Sequence, residues 1–166
     1  SDDPPFPQGL RFETISFRKL MEASPAPPPD PDIEHYDLMA VLYTSGTTGP
    51  SKGVMVPYSQ VYATMEQFLG LYDSDDIYYN PLPLFHISSQ YFYYLLMSVG
   101  GSVVGREMFS VSSFWEDIDK YRCTSSLLMS SMVHFIYNQP RREDDSQHPL
   151  KKLFMLPLID EIEDFK

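Results

Sequence analysis

Residues 43–53, YTSGTTGPSKG, bring hydroxyl side chains, three glycines and one lysine together in one short stretch. Gly46 and Gly49 can adopt positive φ, which lets successive backbone N–H groups turn towards one centre. Such a nest binds an anion, and nearby hydroxyl donors and a lysine ammonium strengthen the binding. The stretch therefore predicts a polyphosphate-binding loop. Its candidate ligand-binding residues are Thr44, Ser45, Gly46, Thr47, Thr48, Gly49 and Lys52.

Three familiar loop motifs do not fit this stretch. A Walker A loop needs glycine before the lysine and serine or threonine after it, whereas Ser51 and Gly53 flank Lys52. The dinucleotide fingerprint G-x-G-x-x-G fails because a threonine stands two positions after Gly46. The nucleophile elbow G-x-S-x-G is also absent. A plain connection between two strands remains the alternative, although such a turn needs neither a row of hydroxyls nor a lysine.

Strand and helix patterns alternate along the chain after residue 37, and these elements must position the loop. Short apolar runs predict strands at residues 38–44, 53–56, 77–83, 124–129 and 150–156, and residues 100–105 are predicted to form a turn followed by a strand. Helical patterns lie between them at residues 59–70, 88–99, 113–121 and 130–139, with another helix starting near residue 160. Ser59 and Ser113 are expected to cap the first and third of these helices.

This alternation predicts an α/β fold with a mostly parallel sheet flanked by helices on both faces. The run at residues 38–44 is short and apolar, so we expect a buried strand there. In open sheets of this kind, ligands bind at the carboxyl ends of the strands. The glycine-rich loop directly follows residues 38–44, so its predicted position agrees with its predicted chemistry.

Composition excludes several classes of partner. The 166 residues carry a net charge of -11, which argues against nucleic acid or an anionic membrane surface as a bulk partner. The single cysteine, Cys123, suits a reducing compartment, and no apolar run approaches the roughly 20 residues needed to cross a bilayer. We therefore expect a cytoplasmic protein without a transmembrane segment. The histidines at 35, 134 and 148 are too scattered for a zinc site, so no metal ligand is predicted.

Two motifs carry a resemblance to a known superfamily. The string LYTSGTTGPSKGVMV, residues 42–56, strongly resembles the phosphate-binding loop of the adenylate-forming (AMP-binding) enzymes. This superfamily includes acyl-CoA synthetases, luciferases and the adenylation domains of peptide synthetases. The string NPLPLFHISSQ, residues 80–90, is similar to the next motif of the superfamily. Residues from about 36 to 160 resemble acyl-CoA synthetases, and the nearest branch looks like the crotonobetaine/carnitine–CoA ligases.

The resemblance implies a two-step reaction. A small-molecule carboxylate attacks the α-phosphate of ATP, which is bound with Mg²⁺, and gives an acyl-adenylate and pyrophosphate; coenzyme A then displaces AMP. The loop would hold the β- and γ-phosphates, and His86 with Phe85 would border the carboxylate and the α-phosphate. His86 is therefore the predicted catalytic residue, with a structural or surface histidine as the alternative. The acyl group and the oligomeric state stay undetermined.

The resemblance also bears on domain organisation. Eight of the 15 prolines lie within residues 1–31, so residues 1–36 are predicted to be a Pro-rich linker or peripheral segment. Residues 37–166 would form an incomplete α/β AMP-binding subdomain, because the superfamily's adenine, ribose and adenylating-lysine motifs are not found. We expect this central part of a ligase to be inactive alone. Two alternatives are a non-catalytic phosphate-binding or interaction module and an NTPase with an unusual loop.

Overall fold

The computed structural model describes residues 15–22, 32–44, 49–141 and 145–165. The chain divides into two units, residues 1–33 and 34–166. In the first unit, helix α1 (Phe17–Met21) follows Ser16, whose hydroxyl oxygen accepts from the backbone N–H of Lys19 at 3.2 Å. This serine cap favours the start of a helix at this point of the chain.

The second unit has the predicted alternation of strands and helices, and each predicted element is present. A short 3₁₀ turn, Leu69–Leu71, follows the first helix of this unit. The strands and helices in chain order are β1 (Leu38–Thr44), β2 (Lys52–Pro57), α2 (Tyr58–Glu66), β3 (Ile77–Asn80), α3 (Ile87–Val99), β4 (Ser102–Gly105), α4 (Val111–Tyr121), β5 (Ser125–Met129), α5 (Ser130–Tyr137), β6 (Lys152–Leu156) and α6 (Ile162–Phe165).

Four of the strands form a parallel sheet in the order β4-β3-β5-β6. After β3 the chain runs through α3 to β4 at one edge, and it then returns across β3 to continue with β5 and β6. Parallel strands need such crossovers, and helices α3, α4 and α5 provide them. The prediction of a mostly parallel α/β sheet is confirmed.

Side chains from the sheet fill two separate apolar clusters, one on each face. Neighbouring residues of one strand point to opposite faces, so Tyr78 and Leu127 enter one cluster while Tyr79 and Leu128 enter the other. On the first face these residues pack against Phe92, Leu95 and Leu96 of α3. On the second face they pack against Phe114, Ile118, Val133 and Ile136 of α4 and α5. Helices therefore cover both faces, as predicted.

The expectation of a buried strand at residues 38–44 is wrong. Strand β1 pairs only with β2, in antiparallel orientation, and the two make a separate two-stranded sheet within the described residues. Side chains on one face of this hairpin remain exposed, by 44% for Val41, 76% for Tyr43 and 72% for Met55. A short apolar run cannot by itself show which sheet a strand will join.

The predicted helix caps are also wrong. Helix α4 starts at Val111 with Ser110 as its N-cap, so Ser113 lies inside the first turn and its hydroxyl accepts from that of Ser110 at 3.1 Å. Helix α2 starts at Tyr58, one residue before Ser59. Each boundary shifts by only one to three residues, because propensity does not determine which of several neighbouring residues leaves the helical conformation.

An ionic network joins the amino ends of three parallel strands. Asp76 precedes β3, Thr124 precedes β5, and Lys152 is the first residue of β6. The Asp76 carboxylate is 5% exposed and accepts from Lys152 Nζ at 2.6 Å and from Thr124 Oγ1 at 2.7 Å. Burial raises the pKa of Asp76, but the bonds from Lys152, Thr124 and Asp73 outweigh burial and leave that pKa below its ordinary value.

We predict that Asp76→Asn lowers the free energy of unfolding at pH 7 by about 1–3 kcal/mol, since it removes the buried negative charge that pairs with Lys152. The depressed pKa means that the carboxylate contributes stability above its unfolded pKa, and this contribution is lost as the pH falls through the folded pKa. Below about pH 4 the wild-type protein should therefore lose stability more steeply than Asp76→Asn. Denaturant titrations from neutral to acidic pH measure both effects.

The control is Asp75→Asn, which changes an exposed neighbour of the same type. Its unfolding should follow the wild-type pH dependence. Parallel curves for wild type and Asp76→Asn would show that the network does not stabilise the folded state through its charge.

Candidate active site

The hairpin brings two of the predicted phosphate-binding residues together. Thr44 ends β1, Lys52 begins β2, and the two are directly opposed in the antiparallel register. Side chains of opposed residues project from the same face of the pair, so a hydroxyl and an ammonium flank the base of the loop. The Thr44 hydroxyl donates to the backbone carbonyl of Lys52 at 3.4 Å. Four further predicted residues, Ser45, Gly46, Thr47 and Thr48, lie outside the described residues.

Two glycines at the hairpin have different surroundings. A Cβ added at Gly49 would meet no atom within 4 Å, so Gly49 is not required there by packing. A Cβ added at Gly53 would lie 2.8 Å from Cγ1 of Val41, which is closer than carbon atoms approach without strain. Gly53 thus lets β2 pass close to the stiff, β-branched Val41 side chain. Sequence reasoning had not given Gly53 this role.

His86 lies between strand β3 and helix α3, where it forms the N-cap of the helix. Its Nδ1 atom accepts a hydrogen bond from the backbone N–H of Ser88 at 3.2 Å. The residue is exposed, and Phe85 beside it is 80% exposed. The cap gives His86 a structural contact, and its exposed ring can still meet a ligand. Its catalytic role stays a prediction.

The sheet topology places His86 at a point where α/β folds bind ligands. Strand β3 leads into α3 on one face, whereas its neighbour β5 leads into α5 on the other face. Adjacent strands whose connections leave to opposite faces open a crevice at their carboxyl ends. His86 follows the carboxyl end of β3 by six residues. The histidine therefore lies next to the topological switch point of the sheet.

Exposed apolar side chains follow the carboxyl ends of three strands of the parallel sheet. They stand after β3, after β4 and at or beyond the end of β6, and their exposed fractions run from 52% to 80%. We call this set the apolar rim: Leu84, Phe85, Met108, Leu156 and Leu158. By contrast, Tyr78 and Tyr79 are fully buried and pack in the core.

A second ionic network anchors the carboxyl end of β4. Arg106 follows this strand and pairs with the buried Asp117 of α4, and the Tyr79 hydroxyl donates to the same carboxylate at 3.1 Å. Burial and the Asp117 charge raise the pKa of Tyr79, while the hydrogen bond to Asp117 raises the pKa of Arg106. The guanidinium of Arg106 is thus already paired, and its contact is structural.

Neither a metal centre nor a reactive thiol is found in the described ranges. No group of three or more His, Cys, Asp or Glu side chains there could hold a metal ion. Cys123 is fully buried, and burial together with the nearby Asp117 raises its pKa to about 12. A thiol with this pKa stays protonated near neutral pH and is a poor nucleophile.

A profile described as AMP-binding enzyme matches residues 2–158. The chain belongs to the AMP-binding enzyme family. The crotonobetaine/carnitine–CoA ligase of Proteus mirabilis is 36% identical over 137 residues, which cover 77% of this chain and 26% of that protein. Long-chain fatty acid transport protein 1 of Bos taurus is 32% identical over 157 residues, which cover 87% of this chain and 23% of that protein. The chain thus spans about a quarter of the length of these relatives.

Solved structures of the family share the fold. The o-succinylbenzoate–CoA synthetase of Bacillus subtilis, in complex with its acyl-adenylate intermediate, matches with a TM-score of 0.73 and 25% identity. The match covers 92% of this chain and 42% of that one. The same enzyme with ATP and magnesium matches with a TM-score of 0.71. The α/β fold of an AMP-binding enzyme is therefore confirmed.

None of the helices in the described ranges is both long enough and apolar enough to cross a membrane. The longest, α3, has 13 residues.

We predict that Gly53→Ala weakens the hairpin, because the new methyl group would push against Val41. Amide hydrogen exchange in β1 and β2 should become faster than in the wild type, while exchange in β3 and β5 stays unchanged. The matched control is Gly70→Ala, since a Cβ there would meet nothing within 4 Å. Equal exchange rates in wild type and Gly53→Ala would show that Val41 yields without cost.

Proposed function

We propose that this chain is part of an ATP-dependent carboxylate–CoA ligase, an acyl-CoA synthetase, and contributes its phosphate-binding loop and part of its acyl pocket. The observation that carries the proposal is the cross-strand pairing of Thr44 with Lys52 at the base of the loop, in a chain of the AMP-binding family. The pairing sets a hydroxyl group beside an ammonium group. A hydroxyl and a cation are what the oxygens of a polyphosphate require.

The loop acts by binding charge. When a carboxylate attacks the α-phosphate of ATP, negative charge moves onto the departing pyrophosphate. Lys52 stabilises this charge together with the neighbouring residues Ser45 to Gly49, and the Thr44 hydroxyl can join them once its proton leaves the Lys52 carbonyl. Donors held ready for a developing charge lower the barrier more than donors that bind the ground state equally well.

His86 and the apolar rim act on the other reactant. His86 donates a hydrogen bond to the reacting carboxylate or to the α-phosphate, where charge develops. Phe85, beside it, and the other members of the apolar rim offer the exposed apolar surface that an acyl group needs at the same edge of the sheet. The proposal does not specify the acyl group, since one relative is named for crotonobetaine and carnitine and another for long-chain fatty acids.

Magnesium and coenzyme A belong to the proposed reaction as partners of ATP and as the acceptor thiol. No group of three or more His, Cys, Asp or Glu side chains in the described ranges could hold a metal ion, so no residue of this chain is assigned as a magnesium ligand. Coenzyme A likewise has no assigned contact here.

The domain organisation follows from the same proposal. Residues 1–36 would be a linker or peripheral segment, and residues 37–166 an incomplete AMP-binding subdomain of a cytoplasmic enzyme. The division of the structure between residues 33 and 34 supports this boundary. The alternative is a non-catalytic phosphate-binding module with the same loop. The NTPase alternative is not favoured, because β3, β4, β5 and β6 end at Asn80, Gly105, Met129 and Leu156, none of them acidic.

We predict that Lys52→Met weakens the binding of ATP by about tenfold, because it removes one charge-assisted contact with the phosphates. Isothermal titration calorimetry of the 166-residue protein with ATP measures the affinity. The control is Lys151→Met, which removes another exposed lysine next to a strand. Equal losses of ATP affinity in both variants would mean that the affinity depends only on the net charge of the protein. That result would contradict the role assigned to the loop.

We also predict that the complete gene product catalyses carboxylate-dependent ATP–pyrophosphate exchange and that the isolated 166 residues do not. In the complete protein, His86→Ala should lower the exchange rate by about 10- to 100-fold, as expected for loss of a hydrogen-bond donor to a developing charge. Exchange by the isolated chain would refute its inactivity. ATP binding without exchange in the complete product would favour the non-catalytic module.

A further inference from the structure

The residue that ends strand β3, Asn80, is buried and uses its whole amide group. It is 1% exposed. Its Nδ2 atom donates to the Ser89 hydroxyl at 2.7 Å and to the Leu82 carbonyl at 3.1 Å. Its Oδ1 atom accepts from the backbone N–H of Leu82 at 3.3 Å. The orientation of the amide is unambiguous, because the Leu82 N–H can only donate and the Leu82 carbonyl can only accept.

These bonds reach His86 through helix α3. Ser89, which accepts from Asn80, donates its backbone N–H to the carbonyl of His86 at 3.1 Å. The backbone N–H of His86 donates in turn to the carbonyl of Pro83 at 2.9 Å. The side-chain amide of Gln90 donates a hydrogen bond to the carbonyl of Leu84, which lies between Pro83 and His86, at 2.8 Å. The turn before His86 and the helix that begins after it are therefore both tied to the end of β3.

The imidazole of His86 has a defined tautomer in this arrangement. Its Nδ1 atom accepts from the Ser88 N–H, and a backbone N–H can only donate. Nδ1 is consequently unprotonated, and the neutral ring carries its proton on Nε2. The exposed ring thus presents Nε2–H as a hydrogen-bond donor, which is the form that the proposed reaction needs.

We propose that Asn80 is a positioning residue: its bonds to Leu82 and Ser89 hold the first turn of α3 so that His86 caps the helix through Nδ1 and presents Nε2–H. This inference deepens the proposed function and rests on it for its catalytic consequence. Asn80 itself lies in the interior and touches no reactant. The geometry of the cap, by contrast, can be tested without any activity.

The first measurement is the tautomer of His86 by long-range ¹H–¹⁵N correlation spectroscopy on the complete gene product. The wild-type ring should be the Nε2–H form, and in Asn80→Ala it should become a mixture of both tautomers. The control Asn138→Ala removes an exposed asparagine that bonds the His134 carbonyl, and it should leave the His86 signals unchanged. An unchanged tautomer in Asn80→Ala would overturn the proposal.

The second measurement is a double-mutant cycle of Asn80→Ala with His86→Ala in ATP–pyrophosphate exchange. Asn80→Ala should lower kcat by about tenfold in the wild-type background, with KM for ATP nearly unchanged, and by less than about twofold when His86 is already alanine. A merely structural asparagine would cost the same in both backgrounds, and additive losses would overturn the proposal. If Asn80→Ala does not fold, Ser89→Ala, which removes a single bond, takes its place in both measurements.

Failure of the proposed function looks different. If His86→Ala leaves exchange unchanged, or if the complete product shows no exchange, the donor role of His86 is lost, and the tautomer measurement alone decides whether Asn80 positions the ring. A loss with His86→Ala and an additive cycle would instead leave the function standing and remove Asn80 from it.

Discussion

The alternation of side chains along buried parallel strands is the constraint on which this structure depends. Because Tyr78 and Tyr79 are adjacent on β3, they must point to opposite faces, and both are fully buried. The sheet can bury both only if helices pack on each side, and α3 does so on one face while α4 and α5 do so on the other. The crossovers that satisfy this requirement also send the connections of β3 and β5 to opposite faces, next to His86.

The two ends of the sheet are used differently. At the amino ends, the bonds of Asp76 to Lys152 and Thr124 tie three strands together through a buried carboxylate. At the carboxyl ends, apolar side chains are exposed, and the polar group at the end of β3 is the neutral amide of Asn80. Both ends thus have an ion pair, Asp76–Lys152 at the amino ends and Arg106–Asp117 beside β4, but the exposed apolar rim and the capped His86 stand at the carboxyl ends, where the proposed site lies.

The proposed phosphate-binding loop is carried by the β1–β2 hairpin, outside the parallel sheet. An isolated two-stranded hairpin is only marginally stable, so β1 and β2 need support from their neighbours, and Val56 of β2 is accordingly buried at 2% exposure. The opposite face, with Val41, Tyr43 and Met55, remains exposed. The antiparallel pairing nevertheless holds Thr44 and Lys52 opposite each other at the base of the proposed loop.

The sequence by itself determined the order of the elements, the α/β class and the family, because apolar periodicity, glycine punctuation and the TSGTTGPSKG motif are local properties of the chain. It also singled out Thr44, Lys52 and His86. Only the tertiary structure decided that residues 38–44 join a hairpin rather than the parallel sheet. It alone also showed that Asp76 is buried while the neighbouring Asp75 is exposed, and that Asn80 is linked to His86 through Ser89. Each of these depends on partners distant in sequence or on burial, and a local pattern contains neither.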